Sequence, residues 1–226
     1  MNGINFDIIS EYLPHFLNGA RVTVAIVGTS IILATILGYL VALARRSRIA
    51  PLRIIAATYV WVFRGMPLIL SLFFFYYALP QFGPRLSAFT AGVVAMTLNS
   101  ASFFSEIIRA GLAAVPKGQV EAAYSVGMSP WQVAKRVTYP QTVRLMLPPY
   151  INNSVIMLKE SAQVAIITVP DLMFQAQKAY NATYRPLETL AVAGVLYLTL
   201  TSALMALQLV VERRMGERKV KETIDV

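Results

Sequence analysis

The sequence predicts an all-α integral membrane protein with five transmembrane helices, its N-terminus outside and its C-terminus in the cytoplasm. Three observations carry this. Hydrophobic residues make up 57% of the chain and charged residues only 14%, against roughly 45–50% and about 25% in soluble domains. That leaves too little polar surface to cover a soluble fold. Several apolar stretches reach the roughly 20 residues that about 30 Å of hydrocarbon requires at about 1.5 Å per residue. Finally, Lys and Arg gather in segments that fall on one side of such spans, the cytoplasmic side by the positive-inside rule.

The whole chain, 1–226, reads as a single transmembrane domain. Residues 1–21 carry Asp7 and Glu11 before their first basic residue, Arg21, whereas a secretory signal opens on a basic region. The first apolar segment is therefore expected to be retained. The segment 1–21 reads as an amphipathic periplasmic piece lying on the membrane surface, with His15 as an interfacial residue. Span 22–44 contains no charge. The second span, 54–79, is interrupted by Arg64, Gly65 and Pro67. Pro67 removes a helical hydrogen bond, so a kink is expected there, with Arg64 snorkelling or capping the freed backbone. Span 86–110 carries small residues suited to helix packing in lipid. Span 145–167 carries Lys159 and Glu160, which mark a break or a buried polar site. Between it and the last span, 187–211, the stretch 171–180 reads as a second short interfacial helix. The basic groups led by Arg45, Arg109 and Arg213 all follow odd-numbered spans, leaving a cytoplasmic tail over 212–226.

The formal charge of +9 follows from these cytoplasmic loops. No basic stripe with interleaved stacking aromatics accompanies it, so nucleic acid is not an expected partner. Cysteine is absent and histidine occurs once, which removes disulfides, thiolate metal sites, thiol nucleophiles and any histidine metal cluster. The sequence has no GxxxxGK[ST] phosphate loop, no HExxH and no GxSxG. No catalytic residue and no cofactor of its own is expected, and any ATP consumed must be hydrolysed on another polypeptide.

The segment 116–140 is too long for a simple connector. Pro116 and Lys117 lead into a short helical run, 119–126, with Val120, Ala123 and Tyr124 on one side. Gly127 ends it in the left-handed conformation, and Ser129 caps a second run with Pro130 in its first turn. Glu121, Ala122, Ala123, Gly127 and Pro140 resemble the EAA loop of ABC importer permeases. The flanking words RGMPL (64–68), LFFFYY (72–77), EIIR (106–109), KGQ (117–119) and VPDL (169–172) are similar to the polar amino-acid subgroup, covering histidine, arginine, glutamine, glutamate and cystine permeases. This resemblance implies a type I importer permease in the bacterial inner membrane. It implies a dimer of permeases, identical or paired with a sibling, on two ATPase subunits that hold ATP and Mg, served by a periplasmic substrate-binding protein. Two departures stand out: Met66 after the RG pair, where Thr is common, and Lys159-Glu160-Ser161-Ala162 where Lys-Asp-Thr-Ser is common. The second leaves open which amino acid, or close derivative such as cystine or an opine, is carried.

Charges at membrane depth are costly and usually face a protein interior or a wet cavity. Asn99, Ser102 and Glu106 fall at i, i+3 and i+7 on one helical face, and Lys159, Glu160 and Ser161 cluster on the next long span. Together these six are expected to line a pathway for a zwitterion: carboxylates for its ammonium, and a cation or donors for its carboxylate. The structural alternative stays open at this point. Adjacent Lys159 and Glu160 point about 100° apart, and Glu106 has Arg109 at i+3 as a pairing partner. An ion-coupled secondary transporter or channel is the competing function class; five spans without an inverted repeat argue against it.

Overall fold

A computed structural model describes residues 6–224, with side chains from Asp7 to Val210. The described residues form helices joined by short connections, with no strand among them: α1 (Phe6–Arg45), α2 (Ala50–Gly65), α3 (Leu68–Phe73), α4 (Ala88–Ala113), α5 (Lys117–Ser125), α6 (Pro130–Val133), α7 (Tyr139–Glu160), α8 (Leu172–Thr183) and α9 (Pro186–Ile224). The basic side chains expected on the tail beyond 212 lie outside the described residues.

The amphipathic piece expected over 1–21 is, from Phe6 on, not a separate surface element but the opening turns of α1. Pro14 costs that helix one hydrogen bond without ending it. Phe16 is fully buried against Leu172, Ala176 and Ala179 of α8 and Ala193 of α9, and burial of this kind overrides the local polar pattern. Gly19 allows the contact: a Cβ there would lie 2.8 Å from the Asp171 carbonyl oxygen. The interfacial helix expected over 171–180 is α8. It is sandwiched between α1 and α9, with Leu172, Ala176 and Ala179 buried, rather than resting on lipid. Asp171 caps its first turn by accepting from the Phe174 N–H at 2.9 Å.

At the centre, α1 and α4 run side by side in the same direction, with Ile26 against Gly92 and Gly38 against Ala101 and Phe104. A Cβ at Gly38 would sit 3.0 Å from Phe104 Cβ and 3.1 Å from the Ala101 carbonyl. Small residues let the backbones approach closely, as packing in lipid favours. The main core joins Ile26 and Val27 of α1, Leu68 and Leu72 of α3, Ala95 and Met96 of α4, and Met157 and Leu158 of α7.

Where a kink was expected at Gly65 and Pro67 the helix breaks outright, and the chain bends by 106° there. Pro67 forces the preceding Met66 to φ −100°, ψ 132°, an extended conformation that no helix continues through. Beyond α3 the chain tightens through a π turn (Phe74–Ala78) and a 3₁₀ turn (Leu79–Phe82). The segment expected as span 145–167 also changes type within its length. Its α-helix stops at Glu160, a 3₁₀ stretch carries Ser161–Ile167, and Thr168 ends it with φ 67°.

Among the described residues, three helices are long and apolar enough to cross a bilayer: Asp7–Arg45, Ala88–Ala113 and Pro186–Val210. The bent pair Ala50–Gly65 and Leu68–Phe82 adds a fourth if its arms form one span.

Candidate functional site

Two features carry the chemistry. The first is the arm between α4 and α7. Helix α5 ends in a Schellman turn: the Met128 N–H donates to the Ala123 carbonyl (3.2 Å) and the Gly127 N–H to that of Tyr124 (3.0 Å), with Gly127 at φ +79°. Two residues later Ser129 and Gln132 form a reciprocal capping box at α6, with Pro130 as its first residue. A π turn over Ala134–Thr138 then leads without a loop into α7, whose first turn holds Pro140. The arm is thus continuous with a long helix and can move rigidly with it.

Ala123 and Val133 are buried inside the arm, whereas Glu121 and Ala122 are exposed. Tyr124, placed by the sequence pattern on the same side as Ala123, points outward instead. With Val126 at 75% and Trp131 at 70% exposure, it forms an apolar outer surface on a segment outside the apolar spans. Neither Val126 nor Trp131 was legible as a contact residue; an exposed Trp in a polar loop was the available signal.

The second feature is the set of polar groups within the bundle. Asn99 is buried and donates from Nδ2 to the Phe63 carbonyl at 3.1 Å and the Met66 carbonyl at 3.5 Å. Phe63 is four residues before Pro67, so its carbonyl is the one that proline leaves without a helical donor. Asn99, not Arg64, caps the break. Arg64 instead lies over the Phe103 ring, 5.4 Å from its centroid. Ser102 and Ser161 are fully buried and donate to the Asn99 carbonyl (2.6 Å) and the Leu158 carbonyl (2.7 Å). Glu106 accepts from Arg109 Nε (3.2 Å) and a terminal guanidinium nitrogen (2.7 Å), and its other oxygen faces Arg45. That carboxylate ties the end of α1 to α4, a link through Arg45 that i, i+3 spacing alone does not reveal.

Of the six residues expected along one pathway, then, three are committed to the chain's own frame: Ser102, Glu106 and Ser161. Lys159 is exposed and Glu160 half-buried, and Asn99 keeps its Oδ1 uncommitted. No hydrogen bond or ion pair links the α4 group to Lys159 or Glu160 in the isolated chain.

Comparison with known proteins agrees with this architecture. Residues 13–217 match the family described as binding-protein-dependent transport system inner membrane component. The chain is 39% identical over 213 residues to the arginine transport system permease protein ArtQ of Bacillus subtilis, covering 94% of this chain and 97% of that one. It is 35% identical to the L-cystine transport system permease protein TcyB of the same organism, covering 96% and 94%. Among solved structures, an amino acid ABC transporter superposes with a TM-score of 0.88 at 37% identity, covering 94% of this chain and 100% of that one. The MetNI methionine transporter in an inward-facing form, at 20% identity and a TM-score of 0.72, shares the fold. The chain belongs to the family of inner-membrane permease components of binding-protein-dependent ABC transport systems.

Proposed function

We propose that this chain is the permease subunit of an importer that moves a polar amino acid, or a close derivative such as cystine or an opine, from periplasm to cytoplasm. ATP and Mg are held by two separate ATPase subunits, and a periplasmic binding protein delivers the substrate. The observation that carries this reading is the arm over 117–139: two short helices locked by a Schellman turn and a capping box, with Trp131 and Val126 turned outward. Glu121, Ala122, Ala123, Gly127 and Pro140 shape a rigid unit that fits a groove on an ATPase. Movement there passes directly into α7, in the manner of a rigid-body switch.

The reading includes five spans, α7 with its 3₁₀ extension being the fourth in chain order and α9 the fifth, and an N-terminus outside. The basic loops after the first, third and fifth spans support that orientation. Within the bundle, Glu160 and the Oδ1 of Asn99 receive the substrate ammonium and Lys159 its carboxylate. Ser102, Ser161 and the Glu106–Arg109 pair hold the walls, and Arg64, Gly65 and Pro67 fix the broken span beside them. The relatives named for arginine and cystine support an amino-acid cargo. Reconstitution in liposomes tests the assignment: the permease with its ATPase and binding protein takes up substrate only with ATP, and the permease alone takes up none. Uptake by the chain alone, driven by an ion gradient, refutes it.

A further inference from the structure

The turn between α1 and α2 stands at the end of an apolar groove. Leu37, Leu43 and Ser47 on one side, with Leu52, Ile55 and Tyr59 on the other, enclose about 740 Å³. The two helices pack behind it through Val41 and Ala56, and the small Ala44 and Ala56 leave space that larger side chains would close. Leu43, Leu52 and Ile55 are exposed along its rim. At the inner end the Tyr59 hydroxyl donates to the Leu98 carbonyl at 2.6 Å, which leaves ring carbon to line the space. From Leu37 to the end of α1 at Arg45 the groove runs about 12 Å at about 1.5 Å per residue, most of the roughly 15 Å that one leaflet's hydrocarbon occupies.

The mouth of this groove is basic. Ser47, which lines it, lies between Arg46 and Arg48, and Arg53 donates from Nη1 to the Ser47 carbonyl at 3.5 Å. All three arginines are exposed, whereas neighbouring Arg45 is claimed by Glu106. From Arg46 to Ser105 the sequence contains no acid, and no ion pair joins the three to an acid elsewhere among the described residues. Helix α2 begins at the same place, with no side-chain cap and no acid in its first turn, so its unpaired N–H groups add to the positive field. Cytoplasmic arginines fix orientation in general. Here a folded turn gathers them over an apolar channel, which orientation does not require.

We propose that the groove between α1 and α2 seats an acyl chain of an anionic phospholipid from the cytoplasmic leaflet, with its phosphate held by Arg46, Arg48 and Arg53. The proposal rests on the orientation given above, which puts this turn in the cytoplasm, and not on the substrate transported. Guanidinium groups bind phosphate oxygens in pairs and stay charged throughout the physiological range. A zwitterionic headgroup carries its own ammonium, which the arginines repel; an anionic headgroup meets them without that opposition. Basic sites between membrane helices on the cytoplasmic side suit such headgroups. The lipid ties the end of α1 to the start of α2 and so steadies the arm that leads to the break at Pro67.

The test uses the assembled complex in nanodiscs holding a trace of phosphatidylglycerol with a photoactivatable acyl chain, the labelled peptides being identified after irradiation. Label is expected at Leu43, Leu52 and Ile55, and unlabelled phosphatidylglycerol is expected to displace it at a concentration at least tenfold lower than phosphatidylethanolamine. Arg46→Gln, Arg48→Gln and Arg53→Gln together are expected to remove that preference. Arg213→Gln, Arg214→Gln and Arg218→Gln together are expected to leave it intact. Leu52→Trp fills the groove and keeps every charge; it is expected to cut label at Leu43 and Ile55 at least fivefold, and it provides the readout should the first arginine variant fail to insert. Equal displacement by the two lipids, groove label undiminished by Leu52→Trp, or a preference lost equally in the tail variant overturns the proposal. A complex that shows no ATP-dependent uptake while its groove keeps the lipid preference counts against the assigned function and leaves the lipid site standing.

Discussion

Replacing Asn99 tests whether the broken span is held by the donor assigned to it. Asn99→Ala removes the Nδ2 group 3.1 Å from the Phe63 carbonyl; the bond to Met66, at 3.5 Å, is long enough to count for little. Stranding one buried carbonyl costs roughly 1–3 kcal/mol, and the small void left by the amide adds to it. A total near 3 kcal/mol, at about 2–4 °C per kcal/mol for chains of this size, lowers the melting temperature of the purified complex by roughly 6–12 °C. Asn99→Asp keeps the size and loses the donor, so it is expected to fall at least as far. The sharper assay is a double-mutant cycle with Pro67→Ala. Alanine restores the N–H at position 67, which can then serve the Phe63 carbonyl within the helix. In that background Asn99→Ala should cost at least 1 kcal/mol less. Additive effects, or Asn99 variants that melt normally while changing only which substrate is taken up, refute the reasoning.

Three further outcomes follow from the same contacts. Gly38→Val pushes a side chain into the Ala101 backbone and Phe104, so it is expected to destabilise the complex by about 1–3 kcal/mol; Gly28→Ala, with open space around it, should melt like the parent. Asp171, outside the spans, has its carboxyl pushed up to about 6 by burial, against the opposing pull of the Phe174 and Met173 N–H groups and the Tyr197 hydroxyl. The folded chain therefore holds this proton at a pH where the unfolded chain has lost it, and stability declines as pH rises from about 4 to about 6 and levels above. Asp171→Asn should remove that component from the melting profile; an unchanged profile contradicts it. Trp131→Ala, at a surface with little internal packing, should leave melting unchanged and reduce substrate-stimulated ATP hydrolysis at least tenfold, measured on the reconstituted complex.

What the sequence disclosed, and what it hid, divides along a physical line. The turns of the arm were legible because Gly127, Ser129 and Pro130 act through local rules: a left-handed φ, a capping oxygen and a preset first turn; its outer face at Tyr124, Val126 and Trp131 was not. The features set by tertiary packing were not. An amphipathic pattern made the opening segment look like a separate surface helix, yet Phe16 and Gly19 bind it into the bundle through contacts with α8, more than 150 residues away in sequence. Pro67 announced an interruption, but its depth depended on Asn99, which supplies from another helix the donor that proline lacks. The polar residues of 99–106 and 159–161 stood out as charges and amides in apolar segments. Which of them remain available was decided by partners the pattern could not show: the serines turn back on their own helices, and Glu106 is claimed by Arg45 as well as Arg109.

The most direct measurement concerns the outer face of the arm. A photo-crosslinking amino acid at Val126 or Trp131, irradiated in the assembled complex in native membranes, is predicted to join the permease to its ATPase subunit. The same probe at Phe82, which the proposed orientation puts outside, is predicted to leave that subunit unlabelled. Products from Val126 and Trp131 that contain only lipid or the periplasmic binding protein would contradict the account.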